Sequence, residues 1–116
     1  MKKRVLMFLT VAALMVGLSA VAAYAVSTAA VIEGDGTDDE LFETPRDDQM
    51  FGRGGDDTLN AEEFEGDIDE LAGNRGEDEL RAEDGDGNDI LRGGRGSDEC
   101  FGDPDDTFQG CTIVET

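Results

Sequence analysis

Apolar side chains recur along this chain at intervals of nine residues. Leu41, Met50 and Leu59 are nine positions apart, and Leu71 and Leu80 repeat the interval. A polar residue precedes each of them, as expected for strands, in which successive side chains point to opposite faces. The intervening segments are rich in aspartate and glycine, which are turn residues. The pattern therefore predicts very short strands that alternate with tight turns.

The turns share a frame of nine residues, whose clearest copies are residues 73–81, 84–92 and 93–101. Glycine stands at the fourth place, aspartate at the sixth and an apolar residue at the eighth, with another glycine at the first or second. Glycine permits sharp turns with φ > 0, so several carbonyl oxygens can converge, and the aspartate adds a carboxylate. Such oxygens suit a hard cation such as Ca²⁺, which accepts irregular coordination.

This frame, G-G-x-G-x-D-x-U-x, resembles the RTX, or haemolysin-type, calcium-binding nonapeptide repeat. The resemblance implies an all-β fold, a short right-handed parallel β-roll, or β-solenoid, in which two nonapeptides form one coil. It also implies that Ca²⁺ ions lie between turns two repeats apart.

Copies of the frame cover residues 34–111, with extra residues at 61–63 and 82–83. The copy at 43–51 has no glycine, so its turn is expected to differ and to bind no ion. Aspartate holds the sixth place of every copy: Asp39, Asp48, Asp57, Asp69, Asp78, Asp89, Asp98 and Asp106. If alternate copies share an edge of the roll, these aspartates form two columns.

The resemblance implies metal ligands in the copies whose turns keep glycine. The copies that contain Asp48 and Asp69 lack glycine at the expected places, so these two aspartates are not expected to be ligands. The expected carboxylates are Asp39, Asp57, Asp78, Asp89, Asp98 and Asp106. The expected glycines, which contribute a backbone carbonyl or the shape of the turn, are Gly52, Gly55, Gly73, Gly76, Gly87, Gly93 and Gly96.

Two other structures compete with parts of this interpretation. Residues 60–71 could form a short amphipathic helix, but the repeat continues on both sides, and we expect the insertions to bulge outward as loops. The segment from Asp84 begins like an EF-hand loop, but Asp89 replaces the required glycine and Arg95 the final glutamate.

The N-terminus has the pattern of a secretory signal peptide over residues 1–25. Three basic residues precede an uncharged apolar run, and the Ala23-Tyr-Ala25 motif predicts cleavage after Ala25. Residues 26–33 are then expected to form a loose lead-in. The alternative is a membrane anchor formed by residues 5–25, because the run is long enough to span a bilayer.

The chain has two cysteines, Cys100 and Cys111. In an exported protein such a pair predicts one disulfide, with free thiols or an intermolecular bond as the alternatives. A solenoid needs its open end covered, so we expect the bridge and the tail, residues 112–116, to form a cap.

Composition narrows the function further. The chain has 29 acidic and 9 basic residues, a net charge of −20 and no histidine. This charge opposes compaction unless cations neutralise it, and it excludes nucleic acid as a partner. Without histidine no imidazole base is available, and we expect neither an enzyme nor a small-molecule substrate.

The sequence therefore predicts a secreted protein that folds on binding Ca²⁺ and has a structural or adhesive role at the cell envelope. The sequence does not identify a protein partner there. The alternative is a largely disordered, acidic extracellular calcium buffer.

Overall fold

The computed structural model describes Lys3–Arg4 and residues 29–114. These residues form eleven β-strands and no helix. The strands are β1 (Lys3–Arg4), β2 (Ala30–Glu33), β3 (Asp39–Phe42), β4 (Asp48–Gly54), β5 (Thr58–Asn60), β6 (Glu70–Arg75), β7 (Glu79–Ala82), β8 (Ile90–Arg95), β9 (Glu99–Gly102), β10 (Thr107–Gln109) and β11 (Thr112–Ile113).

The strands lie in two parallel sheets. The six-stranded sheet has the order β1-β3-β5-β7-β9-β11, and the five-stranded sheet has the order β10-β8-β6-β4-β2. Strands that follow one another in the chain belong to opposite sheets, so the chain winds as a parallel β-solenoid, which confirms the expected fold. We call the turns that lead from the five- to the six-stranded sheet the first edge. The turns that lead back are the second edge.

The core between the sheets consists mainly of eighth-place residues together with Ile32, which precedes the first copy of the frame. Leu59 is in register with Leu41 and Leu80, and Leu80 is in register with Cys100. In the other sheet, Ile32, Met50, Leu71 and Leu91 stand in one row. All eight side chains are buried, seven of them completely. The sequence interval of nine thus marks the inward-facing positions.

The coils differ in length, and the extra residues account for the difference. The hydrogen bond from Asp39 to Asp57 joins equivalent aspartates that are 18 residues apart. The next one, from Asp57 to Asp78, spans 21 residues because residues 61–63 intervene. These insertions do not simply bulge outward, since Ala61 and Ala82 are completely buried in the core. The alternative of a helix over 60–71 is wrong, because residues 61–69 form an irregular loop before β6.

The N-terminal part differs from the loose lead-in expected over residues 26–33. Ala30–Glu33 is strand β2, which pairs with β4, and Ala30 and Ile32 are buried. These two apolar residues cover one end of the core, which explains why this segment is an ordered strand. The predicted signal peptide and its cleavage site lie, apart from Lys3 and Arg4, outside the described residues. Within the described part of the chain, no helix could span a membrane.

The other end is closed by the disulfide. Cys100 and Cys111 are bonded, with their Cα atoms 5.9 Å apart, which confirms the expected intramolecular bridge. The bridge holds β11 beside β9, and the backbone N–H of Val114 donates a 2.8 Å hydrogen bond to the carbonyl oxygen of Cys100. The segment after Cys111 therefore adds a short strand to the end of the six-stranded sheet.

Candidate metal centre

Along the first edge, the sixth-place aspartates form a column linked by hydrogen bonds. The backbone N–H of Asp39 donates to Oδ1 of Asp57 at 2.8 Å, and that of Asp57 donates to Oδ1 of Asp78 at 2.8 Å. The N–H of Asp78 donates in turn to Oδ1 of Asp98 at 2.9 Å. Asp57, Asp78 and Asp98 are thus each held in place by the preceding coil, and all four side chains are buried.

The second edge has the same arrangement. The N–H of Asp48 donates to Oδ1 of Asp69 at 2.7 Å, and that of Asp69 donates to Oδ1 of Asp89 at 2.8 Å. The N–H of Asp89 donates to Oδ1 of Asp106 at 3.0 Å. The two columns therefore contain alternate copies of the frame.

In most of these aspartates the second oxygen has no partner. Oδ2 is buried and makes no hydrogen bond in Asp57, Asp69, Asp78, Asp89 and Asp98. A buried acceptor without a partner costs about 1–3 kcal/mol, and a charged one costs more. A recurring cost of this kind at equivalent positions indicates that a cationic ligand belongs beside these oxygens.

First-place glycines leave space beside the same oxygens. A Cβ on Gly93 would lie 2.6 Å from Oδ2 of Asp98 and 2.5 Å from the carbonyl oxygen of Gly110. A Cβ on Gly52 would collide with Oδ2 of Asp57 and lie 2.9 Å from the carbonyl oxygen of Gly73. Glycine thus keeps open a space bounded by a carboxylate oxygen and by a carbonyl oxygen of the next coil, which fits a Ca²⁺ ligand set.

Fourth-place glycines bring the coils together. Gly55, Gly76 and Gly96 have φ values of 91°, 127° and 130°, which side chains other than glycine rarely adopt. A Cβ on Gly76 would collide with the carbonyl oxygen of Gly55, and one on Gly96 with that of Gly76. Glycine is required at these positions for both conformation and space.

Some expected ligands differ from this arrangement. Both oxygens of Asp106 accept backbone hydrogen bonds, from Asp89 and from Asp103. Gly87 has no positive φ, and a Cβ there would collide with Cβ of Asp105, with no carbonyl oxygen among its three nearest atoms. At the glycine-free copy, both oxygens of Asp48 accept hydrogen bonds from Thr44, so this carboxylate is satisfied without an ion.

Burial makes the ionised form of these carboxyls unfavourable. Burial, followed by repulsion from Asp78 and Asp39, raises the pKa of Asp57 to about 7. Burial and then the charge of Asp98 raise the pKa of Asp78 to about 6. On the second edge, burial is the main cause that raises the pKa of Asp69 to about 8 and that of Asp89 to about 7. A bound cation would stabilise the ionised form in both columns.

A second group of carboxylates, which the frame does not predict, meets at the second edge. One oxygen each from Glu43, Asp67 and Asp69 lie within 4.8 Å of one another, and the same holds for Asp67, Asp84 and Asp86. These residues occupy the first, third, fourth and sixth places of copies on one edge. The signal in the sequence was the replacement of turn glycines by acids, at Glu43 in one copy and at Asp67 in the next on that edge.

Comparison with protein families agrees with this geometry. The model of the RTX calcium-binding nonapeptide repeat, which describes four copies, matches residues 33–64, 65–98 and 82–109. No curated protein and no solved structure shows a significant match to the chain.

Proposed function

Because the chain belongs to the RTX calcium-binding nonapeptide repeat family, we propose that it is a secreted protein whose β-solenoid folds when Ca²⁺ binds between the stacked turns. Calcium binding follows from the family, whereas secretion, the ligands and the coupling to folding are our proposals. The observation that carries the ligand assignment and the coupling is the row of buried, unpartnered Oδ2 atoms beside first-place glycines.

On the first edge we assign the ligands by position. Oδ2 of Asp57, Asp78 and Asp98 supply charge, and carbonyl oxygens of the glycine turns supply neutral ligands. The glycines that shape these sites are Gly52, Gly55, Gly73, Gly76, Gly93 and Gly96. Asp39 begins the column and has an unpartnered Oδ1. On the second edge, Asp89 is the expected ligand with an unpartnered oxygen, and Asp106 closes its column through backbone hydrogen bonds.

Coupling to folding follows from the charge balance. Without a cation, each column places carboxylates in successive coils, where like charges oppose compaction. The core consists of single rows of medium-sized apolar residues, and a small core gives little free energy against chain entropy. Ligation of Ca²⁺ replaces repulsion by attraction, so the ion is expected to determine whether the coils stack.

Export is supported by the N-terminal pattern and by the disulfide, since disulfides persist in oxidising compartments. Cleavage after Ala25 would remove β1 and leave β3 at the edge of the six-stranded sheet. N-terminal sequencing of the mature protein should begin at Val26. Finding Met1 on protein from the membrane fraction would favour the anchor formed by residues 5–25 instead.

We propose a structural or adhesive role at the cell envelope, because the ligands are built into the fold itself. The runner-up is an acidic calcium buffer without a fixed fold, which the net charge of −20 favours. The two functions differ in one observable. A structural module gains β structure cooperatively on binding Ca²⁺, whereas a buffer binds ions without this change.

A calcium titration followed by circular dichroism, with ion counting by native mass spectrometry, tests the proposal. The chelated protein should lack most of its β signal and regain it cooperatively, in the ~10⁻⁴–10⁻³ M range common to extracellular calcium modules. Mg²⁺ should be much less effective, because it demands a tighter octahedral geometry. Ion binding without a gain of β signal would favour the buffer, and no binding at all would refute the proposal.

A further inference from the structure

We propose that the second edge contains a two-cation carboxylate centre in which Asp67 bridges two subsites. Glu43, Asp67 and Asp69 form one subsite, and Asp67, Asp84 and Asp86 form the other. This centre uses side-chain carboxylates where the first-edge sites use glycine carbonyls. It is therefore a different kind of site, and it does not depend on the ligand assignment made for the first edge.

Burial and unpartnered oxygens distinguish this centre from an ordinary acidic surface. Glu43, Asp67, Asp69 and Asp84 are each at least nine-tenths buried. They contain five of the ten buried side-chain oxygens that lack a hydrogen-bond partner in the described part of the chain. Carboxylates on a solvated surface are hydrated and do not face each other in this way. A buried group of carboxyls is stable only when its charges are paired, bound to a metal ion or neutralised by protonation.

Hydrogen bonds fix one oxygen of Glu43 and one of Asp84 and leave the other oxygen of each free. Oε1 of Glu43 accepts from the N–H of Glu63 and, at 3.1 Å, from that of Phe64, while Oε2 is free. Oδ1 of Asp84 accepts from the N–H of Asp86 at 3.0 Å, and its Oδ2 is free.

Asp69 follows the same pattern, whereas Asp86 does not. Oδ1 of Asp69 accepts from the N–H of Asp48 at 2.7 Å, and its Oδ2 is free. Asp86 is half-buried, and its two oxygens accept from the N–H of Gly66 at 2.5 Å and from Nδ2 of Asn88 at 3.2 Å. Asp67 alone has both oxygens free, and it is the residue that both subsites share. Two free oxygens on a shared carboxylate are what a bridging ligand requires.

The insertion at residues 61–63 helps to build the site. It lengthens the loop before β6, and the N–H of its last residue, Glu63, is one of the two that fix Glu43. A pocket lined by Arg46, Asp47, Glu63 and Asp67, among others, opens beside the same loop. The break in the repeat thus coincides with the carboxylate centre.

The donor atoms determine the class of cation. All are carboxylate oxygens, which favour hard cations, and Ca²⁺ tolerates the irregular geometry of loops. Two divalent ions would balance four of the five negative charges, whereas one ion would leave three uncompensated. Affinity for Ca²⁺ rises with the number of charged ligands, so we infer that this centre binds Ca²⁺ more tightly than the first-edge sites.

Calcium titration of the full mature chain, with native mass spectrometry and calorimetry, tests the centre. Asp67→Asn should remove two ions from the tightest class, while Glu43→Gln and Asp84→Asn should each remove one. Glu65→Gln, an exposed acid in the same loop with the same change of charge, should keep the parental count. Asp78→Asn should lose ions from the weaker class only.

A stability comparison separates a metal site from a structural role. In chelator, Asp67→Asn should be at least as stable as the parent, because it removes an uncompensated buried charge. In saturating Ca²⁺ the parent should instead be the more stable of the two proteins. An Asp67→Asn protein that keeps the parental count and tight affinity would refute the centre, as would an equal loss of affinity in Glu65→Gln. Failure of the parent to bind Ca²⁺ would instead refute the proposed function.

Discussion

The backbone N–H of Asp78 donates a 2.9 Å hydrogen bond to Oδ1 of Asp98, one coil further along the solenoid. The same contact places two carboxylates close together, and the charge of Asp98 helps to raise the pKa of Asp78 to about 6, after burial as the larger cause. Asp98 therefore both positions Asp78 and repels it. A cation beside their free Oδ2 atoms removes the repulsion and keeps the hydrogen bond.

Asp78→Asn tests this relationship directly. The amide can still accept the hydrogen bond from the N–H of Asp57, but the unpartnered Oδ2 is replaced by a donor that cannot bind a cation. We expect the calcium midpoint of folding to rise at least as much as the roughly 10- to 100-fold loss seen when supporting groups of metal sites are removed. Circular dichroism during a calcium titration measures it.

The matched control for this variant is Glu77→Gln. It makes the same change of charge at the neighbouring, exposed position. Its calcium midpoint should stay close to the parental value. Equal midpoints for the two variants would show that total charge, and not ligation by Asp78, controls folding.

Gly76→Ala should destabilise the stacked turns. Gly76 has a φ of 127°, and an added Cβ would collide with the carbonyl oxygen of Gly55. The backbone strain alone is expected to cost about 1–3 kcal/mol. Urea unfolding in saturating Ca²⁺ measures the loss. Gly36→Ala is the control, because a Cβ at this position meets no atom within 4 Å. The stability of this variant should be nearly parental.

The interval between apolar residues predicted the short strands and their inward-facing positions, because each coil repeats the same short sequence relationship. The parallel β-solenoid itself was implied by the resemblance of the nine-residue frame to the calcium-binding repeat. Leu59 and Leu80 stack across an insertion of three residues, so the inward position is conserved in space even where the interval lengthens. The turn chemistry was equally local. A glycine at position 76 and an aspartate at position 78 define a turn without knowledge of the rest of the chain.

The second-edge centre could not be predicted in the same way, because it depends on contacts between copies that depart from the frame. Glu43 and Asp67 belong to turns that lack glycine at the expected places, which argued against an ion there. Their carboxylates meet only because alternate copies share an edge. The formation of an ordered strand at Ala30 and Ile32 likewise depends on tertiary packing, since these residues lie before the first turn of the repeat.

Acid should stabilise the metal-free fold. Burial is the main cause that raises the pKa of Asp57 and Asp89 to about 7, from an ordinary value of 3.8. Such groups bind more protons in the folded chain, so their contribution to the free energy of unfolding is present below the ordinary pKa and is lost as the pH rises through about 7. In chelator, the β signal should therefore increase as the pH falls from about 8 to about 4.

Two measurements check this pH dependence. The Asp57→Asn variant in chelator should show a smaller change of β signal with pH than the parent, because one of the titrating groups is gone. In limiting Ca²⁺ the parent should respond in the opposite direction, since protons compete with the ion for the same oxygens. A β signal that decreases on acidification in chelator would contradict the prediction.

Reduction of the disulfide should loosen the C-terminal end of the solenoid. The bridge joins residues 11 apart, and closing a loop of that size stabilises a protein by about 2–3 kcal/mol in the chain-entropy description. Cys100 is completely buried beside Leu80, so the bridge also keeps β11 over the last coil. Because each coil contacts only its neighbours, the loss should be local.

Hydrogen exchange in saturating Ca²⁺ should show reductant accelerating exchange in β9 and β11 and leaving β4 nearly unchanged. A double variant, Cys100→Ala with Cys111→Ser, should exchange like the reduced parent and should not respond to reductant. Uniform acceleration along the chain would show instead that the bridge supports the whole fold.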